Sequence, residues 1–215
     1  MMPFPDSYAN ELGQLPAEQM GEDGRAAIES LKTKGYEVRV GLTPEFADAI
    51  AAMALEPSIK EYCPNDSGSR FINRQTTAQW LSNKRATFLL LHKADNGELE
   101  LAGYGWVGAK QSPLVPGGEN TFSLRVGENH QGRGLAAPFS VSMLYGATAI
   151  YGARHIWLET WESNGGAVHI YHKIGFNDVA AKQEERSSTN GQMVPDTRLF
   201  MSRDEDVNST PKTDI

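Results

Sequence analysis

Six consecutive residues, Gln131-Gly132-Arg133-Gly134-Leu135-Ala136, separate an alternating strand from an apolar-striped helix. Glycines in such a loop remove side chains beside backbone N–H groups, and the helix start adds the positive end of its dipole. Amides without intrahelical partners at that end form a cradle for phosphate or diphosphate. Extended to Ala137, the run also matches the dinucleotide fingerprint G-x-G-x-x-G/A. In a Rossmann unit the first glycine follows its strand almost directly. Here five residues, 127–131, intervene, and the preceding strands read as hairpins. A turn whose glycines serve conformation alone is the third reading.

The elements around this loop follow from hydrophobic period and turn chemistry. Tyr36–Val40 reads as a strand, and Thr43 with Pro44 opens a helix that runs to Leu55. A short helix is expected over 76–85, a strand over 86–92, a turn over 95–98, and strands over 101–109 and 121–126. The helix after the loop carries Leu135, Phe139, Met143, Ala147 and Ile150 on one stripe, with Pro138 in its first turn. A strand follows over 155–161. Ser163 and Asn164 then cap a helix with Ala167, Ile170, Tyr171 and Ile174 on one face. Gly175 stops it, and strands are expected over 177–182 and 197–203. Antiparallel strands with interspersed helices predict an α+β fold with a mixed sheet.

Bulk properties narrow the classes. The 215 residues suit one domain over 36–203, with an appendage over 1–35 that includes a short helix at 24–34, and a disordered acidic tail over 204–215. A formal net charge of −7 speaks against a nucleic-acid partner, and either attracts cationic acceptors or serves solubility. No apolar run is long enough for a bilayer, and the first residues lack the pattern of a secretory signal, so no membrane partner and a cytoplasmic location are expected. The single cysteine, Cys63, excludes an internal disulfide and any cysteine-based zinc site, and no metal is expected. Oligomeric state is not encoded legibly, and a homodimer stays open.

Gln131-x-x-Gly134-x-Ala136 has the form Q/R-x-x-G-x-G/A and resembles the acyl-CoA diphosphate loop of the GNAT N-acetyltransferase superfamily. The resemblance continues in order. Ile156-Trp157-Leu158-Glu159 is similar to that family's fifth strand, and Asn164-x-x-Ala167-x-x-x-Tyr171-x-x-x-Gly175-Phe176 to its following helix and turn. Leu101-Ala102-Gly103-Tyr104-Gly105 is similar to its third strand. The placement of Glu159 before Tyr171 is that of bacterial ribosomal-protein N-terminal acetyltransferases.

The resemblance implies a mostly antiparallel sheet splayed between the family's fourth and fifth strands, here 121–126 and 155–161, with acetyl-CoA as co-substrate. It assigns the backbone of Leu124, Arg125 and Val126 to the pantetheine arm, and the amides of Gln131, Gly132, Arg133, Gly134, Leu135 and Ala136 to the diphosphate. The Arg133 side chain is a second phosphate contact or a solvated loop residue. Asn164 and Ala167 belong to the cofactor-binding helix, and Asn164 also reads as a cap. Tyr171 matches the family's general acid and also reads as core packing. Glu159 is the candidate base, its pKa expected to rise beside Trp157 and Trp161. Its other reading is a carboxylate that pairs with a nearby cation. Glu128 and His130 are substitutes. Cys63 carries no sign of an activated thiol, which favours direct attack by the acceptor amine. That acceptor is a small-molecule amine or a peptide or protein amine. A non-catalytic acyl-CoA-binding module, or a transferase of another acyl group, shares the same loop. The segments 1–35, 111–120 and 184–194 fall outside the motifs, and acceptor specificity resides in loops of this kind.

Overall fold

A computed structural model of the chain describes residues 11–94, 97–188 and 190–204. Most of the expected tail, from 205 onward, and positions 95 and 96 of the expected turn lie outside the described residues.

In chain order the elements are β1 (Gly13–Gln14), α1 (Gly21–Lys32), β2 (Tyr36–Val40), α2 (Pro44–Met53), α3 (Pro57–Tyr62), α4 (Arg74–Ser82), β3 (Arg85–Lys93), β4 (Leu99–Ala109), β5 (Asn120–Val126), α5 (Ala136–Tyr151), β6 (Ile156–Trp161), α6 (Gly165–Lys173), β7 (Asn177–Ser187) and β8 (Met193–Arg203). The strands form one sheet in the order β1-β2-β3-β4-β5-β6-β8-β7. Every neighbouring pair is antiparallel except β5 and β6, which run parallel and pair only at Asn120↔Ile156 and Thr121↔Trp157. Beyond those two pairs the strands part. This is the mixed sheet that the strand pattern predicts, with the splay that the resemblance implies.

Side-chain alternation gives the sheet an apolar layer on each face. In β3, Phe88 and Leu90 pack with Phe139, Met143 and Leu144 of α5, while Leu89 and Leu91 pack with Ile50 of α2 and Leu81 of α4. Burial on both faces explains why β3 reads as a continuous apolar run. Gly105 lets α5 press onto β4, since a Cβ there would lie 2.7 Å from Met143 Sδ of α5.

Several boundaries differ from expectation, each for a local reason. The helix expected over 76–85 starts earlier, because Asn73 accepts from the Thr76 amide at 3.0 Å and the Thr76 hydroxyl accepts from the Asn73 amide at 3.2 Å. This reciprocal cap fixes α4, and Arg85 already belongs to β3. Thr43 precedes α2 in extended conformation but makes no capping bond. The segment 184–194, expected as a connection, is mostly hairpin: β7 and β8 extend to a tight turn in which the Ser188 amide donates to the Gln192 carbonyl at 2.8 Å. The segment expected as an appendage contributes β1 to the sheet, and Leu31 of α1, expected over 24–34, lies fully buried in the core beneath α5. Among the described residues no helix is long and apolar enough to cross a membrane.

Candidate active site

The loop after β5 begins with a single helical turn at Glu128–His130. Gly132 and Gly134 then take φ of +72° and +67°, a region that side chains disfavour. The Gln131 amide is used within the turn, donating to the Glu128 carbonyl at 3.3 Å. From Gly132 to Ala137, no amide donates to another described residue outside the sheet and helix ladders. Pro138 has no N–H, and the Phe139 amide closes the first turn of α5 onto Leu135 at 2.9 Å. The N-terminal donors of α5 and the amides before it thus form one continuous row.

Side chains hold this row in shape. Gln131 Nε2 donates to the Val126 carbonyl at 2.9 Å and to Ser58 Oγ at 3.1 Å. Lys34 Nζ donates to the Arg133 and Gly134 carbonyls at 3.1 and 3.2 Å. Sequence reasoning missed Lys34 because it lies in the segment set aside as an appendage. The Arg133 guanidinium turns to the Tyr36 hydroxyl at 3.2 Å, which also meets His130 Nδ1 at 3.0 Å.

The row opens onto a cleft of about 1120 Å³ between the separating β5 and β6 strands. That is slightly above the roughly 300–1,000 Å³ of ordinary ligand sites. Because the Gly127 amide bonds the Ala102 carbonyl of β4, alternation turns the backbone groups of Leu124 and Val126 toward the cleft. Their carbonyls are taken by Arg125 Nη1, at 2.7 Å, and by Gln131. Across the gap, the Asn164 side chain caps α6 by accepting from the Ala167 amide at 3.4 Å. Tyr171 lies one helical stretch further on, packed edge-on against Phe122 with ring centroids 6.2 Å apart. Burial pushes its phenol up to about 12, against the opposing charge of Arg125. The hydroxyl therefore keeps its proton through the neutral range.

Leu124, Arg125, Val126, Gln131, Gly132, Gly134, Leu135, Ala136, Glu159, Asn164, Ala167 and Tyr171 all line this one cleft, whereas Arg133 does not. The low-polarity setting expected around Glu159 is absent. Its carboxylate is 39% exposed and lies 4.0 Å from Arg198, whose guanidinium covers the Trp161 ring at 3.6 Å. Of the two substitutes, His130 lines the cleft. Burial, with Arg133 and His92 nearby, holds its imidazole below the usual range. Glu128 faces elsewhere, accepting from the Ser58 amide at 2.8 Å at the start of α3. The Cys63 thiol borders the cleft, and burial pushes it up rather than activating it.

The sequence also left Asp66 unmarked. This carboxylate is fully buried and accepts from Arg125 Nε at 2.8 Å, Arg70 Nη1 at 3.1 Å and the Tyr104 hydroxyl at 3.3 Å. Burial acts to lower the Arg125 guanidinium, but Asp66 together with Cys63, Tyr104 and Tyr171 raises the group overall. Trp80, Trp106 and Arg85 complete that wall of the cleft.

The sequence matches no family model and no curated protein. Solved structures are similar at the level of fold. The ribosomal-protein-S5-alanine acetyltransferase from Vibrio fischeri aligns with TM-score 0.63 and 14% identity, covering 82% of this chain and 96% of that one. An acetyltransferase of the GNAT family from Streptococcus pneumoniae aligns at 0.59 and 18%, covering 78% and 100%. The spermidine N-acetyltransferase from Vibrio cholerae, in complex with CoA and spermine, aligns at 0.60 and 20%, covering 79% and 96%. The chain has the GNAT acyltransferase fold.

Proposed function

We propose that this chain is an N-acetyltransferase that moves an acetyl group from acetyl-CoA to a primary amine by direct attack. One observation carries the reading: β5 and β6 stop pairing after two residue pairs, and the inner edge of β5, the glycine loop from Gly132 and Tyr171 all border one cleft. The residues present fit the co-substrate. The amides from Gly132 to Ala137 suit a diphosphate, and the Leu124 and Val126 amides suit a pantetheine arm lying as an added strand. The bound thioester supplies an activated acyl carbon, to which the amine nitrogen bonds as the carbon–sulfur bond breaks.

The chain's own groups supply the rest. A β5 amide stabilises the carbonyl oxygen as it gains charge. Tyr171, protonated because it is buried, gives its proton to the departing sulfur. An alkyl amine is only about one part in a thousand neutral at pH 7, so a proton acceptor is required. Glu159 borders the cleft and takes that proton directly or through water. The raised Cys63 thiol favours direct attack over an acetyl-cysteine. The acceptor is a small-molecule, peptide or protein amine.

Calorimetry with acetyl-CoA, followed by thiol release across an amine panel, tests this. Saturable binding with release of CoA thiol is expected. Folded protein that gives no heat with acetyl-CoA would overturn the assignment.

A further inference from the structure

The chain carries 27 acidic and 20 basic residues, yet its cleft is lined by seven lysines and arginines and only two glutamates. On the β7–β8 side the charges are matched. Arg186 lies 2.7 Å from Asp196, and Arg198 lies 3.5 Å from Glu184. On the opposite wall one carboxylate serves two guanidiniums. Arg70 and Arg125 share the single carboxylate of Asp66, which leaves that trio with a net positive charge. Arg85 brings a third guanidinium, whose Nη1 donates to the Trp80 and Asn83 carbonyls at 2.8 and 2.7 Å and which lies 3.7 Å from the centre of the Trp80 ring, whose surroundings Arg70 shares at 5.0 Å. Arg125 lies 5.2 Å from the Trp106 ring. Burial, reinforced by the like charge of Arg70, lowers the Arg85 guanidinium, as expected for cations crowded together.

The diphosphate row does not reach the far end of this wall. Arg85 pairs with Gly108, and Gly108 with Thr121, five residues before Val126. At about 3.3 Å per residue the Arg85 position is roughly 17 Å along the sheet from the start of the glycine loop. Arg70 has donors to offer. It gives Nη1 to Asp66, and no other described group accepts from its remaining N–H groups.

We infer that Arg70, Arg85 and Arg125, flanked by Trp80 and Trp106, form a subsite for a carboxylate on the acceptor, so that the acceptor is an amine that also bears a carboxylate. The planar fork of Arg70 matches a planar carboxylate, the neighbouring guanidiniums add positive charge, and the aromatic faces keep them in place. A polyamine would meet like charge at this wall. The term acceptor rests on the transferase reading, whereas the anion subsite does not.

The test is calorimetry on the chain without acetyl-CoA, comparing N-acetylated amino acids with their carboxamides. The acids are expected to bind at least about tenfold more tightly. Arg70→Gln should erase most of that preference, with Arg70→Lys restoring part of it. Equal binding of acid and amide by the unaltered chain would overturn the inference. Thiol release from free amino acids, their amides, the corresponding decarboxylated amines and spermidine separates the two readings. Rapid turnover of the decarboxylated amines and spermidine, with the acids no better, sinks the carboxylate subsite and leaves the transferase standing. Preferential binding of the acids without thiol release from any acceptor sinks the transferase and leaves the subsite standing.

Discussion

Arg125 extends from β5 to place its Nε 2.8 Å from the carboxylate of Asp66, a residue that has no solvent exposure. Asp66 stands in the turn between α3 and α4, so this bond fastens the helical face to the strand that borders the cleft. The pair is buried and further tied by Tyr104 and Arg70. Its loss would leave two guanidiniums with no carboxylate between them.

Asp66→Asn is therefore expected to destabilise the fold by about 3 kcal/mol or more, since breaking a buried ion pair from one side leaves the other charge uncompensated. Urea unfolding measures this directly. An unchanged midpoint would show that the network contributes little.

Tyr171→Phe should lower kcat on the order of 100-fold while leaving the acetyl-CoA dissociation constant within about twofold, as expected for loss of a proton donor. Because the phenol is held at about 12, its ionisation should not shape the pH–rate profile around neutrality. Steady-state kinetics and calorimetry on the same preparation separate the two quantities.

Glu159→Gln divides the two roles open to that carboxylate. As proton acceptor, its loss should lower kcat by about 100-fold or more and change the pH dependence of the remaining rate. As a partner for Arg198 alone, its loss should raise the acceptor KM and leave the profile's shape intact. We expect the first outcome.

Lys34→Ala removes two hydrogen bonds to the carbonyls of Arg133 and Gly134. At about 1 kcal/mol for a typical bond, acetyl-CoA binding should weaken roughly fivefold or more, with kcat little changed. Binding equal to that of the unaltered chain would mean that the loop keeps its shape without the lysine.

Alkaline pH probes the buried phenols. Tyr104, Tyr151 and Tyr171 are all held above the ordinary tyrosine value, each chiefly by burial. A raised folded-state value means that the unfolded chain loses protons first, so stability is intact below pH about 10 and falls as pH rises toward 12. Near-ultraviolet tyrosinate absorbance should show these phenols ionising only as the chain unfolds. Smooth titration of every tyrosine near pH 10 in folded protein would contradict their burial.

The parts of the site legible in the sequence were those encoded by local rules. The glycine loop, the stripe on α5 and the Asn164 cap are matters of spacing over a few residues, and the structure reproduces them. What the sequence concealed depends on chain segments that are distant from one another. Arg198 reaches Glu159 because β8 lies beside β6, a pairing that no local pattern around Glu159 announces. Lys34 meets the loop from 99 residues away. Asp66 sits in an irregular turn, where neither helical nor strand period marks an inward-facing residue. The β7–β8 hairpin was read too short because the distal half of β7, residues 183–187, is polar on both faces, and Pro195 interrupts the strand pattern of β8.

Among the described residues, β5 and β6 pair at Asn120↔Ile156 and Thr121↔Trp157, with the His155 carbonyl taken by the Glu119 amide just before them, so a short seam stitches the two halves of the sheet together. A guest lying along Leu124 and Val126 would act as mortar as well as cargo. Filling the seam and stiffening the molecule would then be one event, and hydrogen exchange on both banks should slow together when the guest arrives.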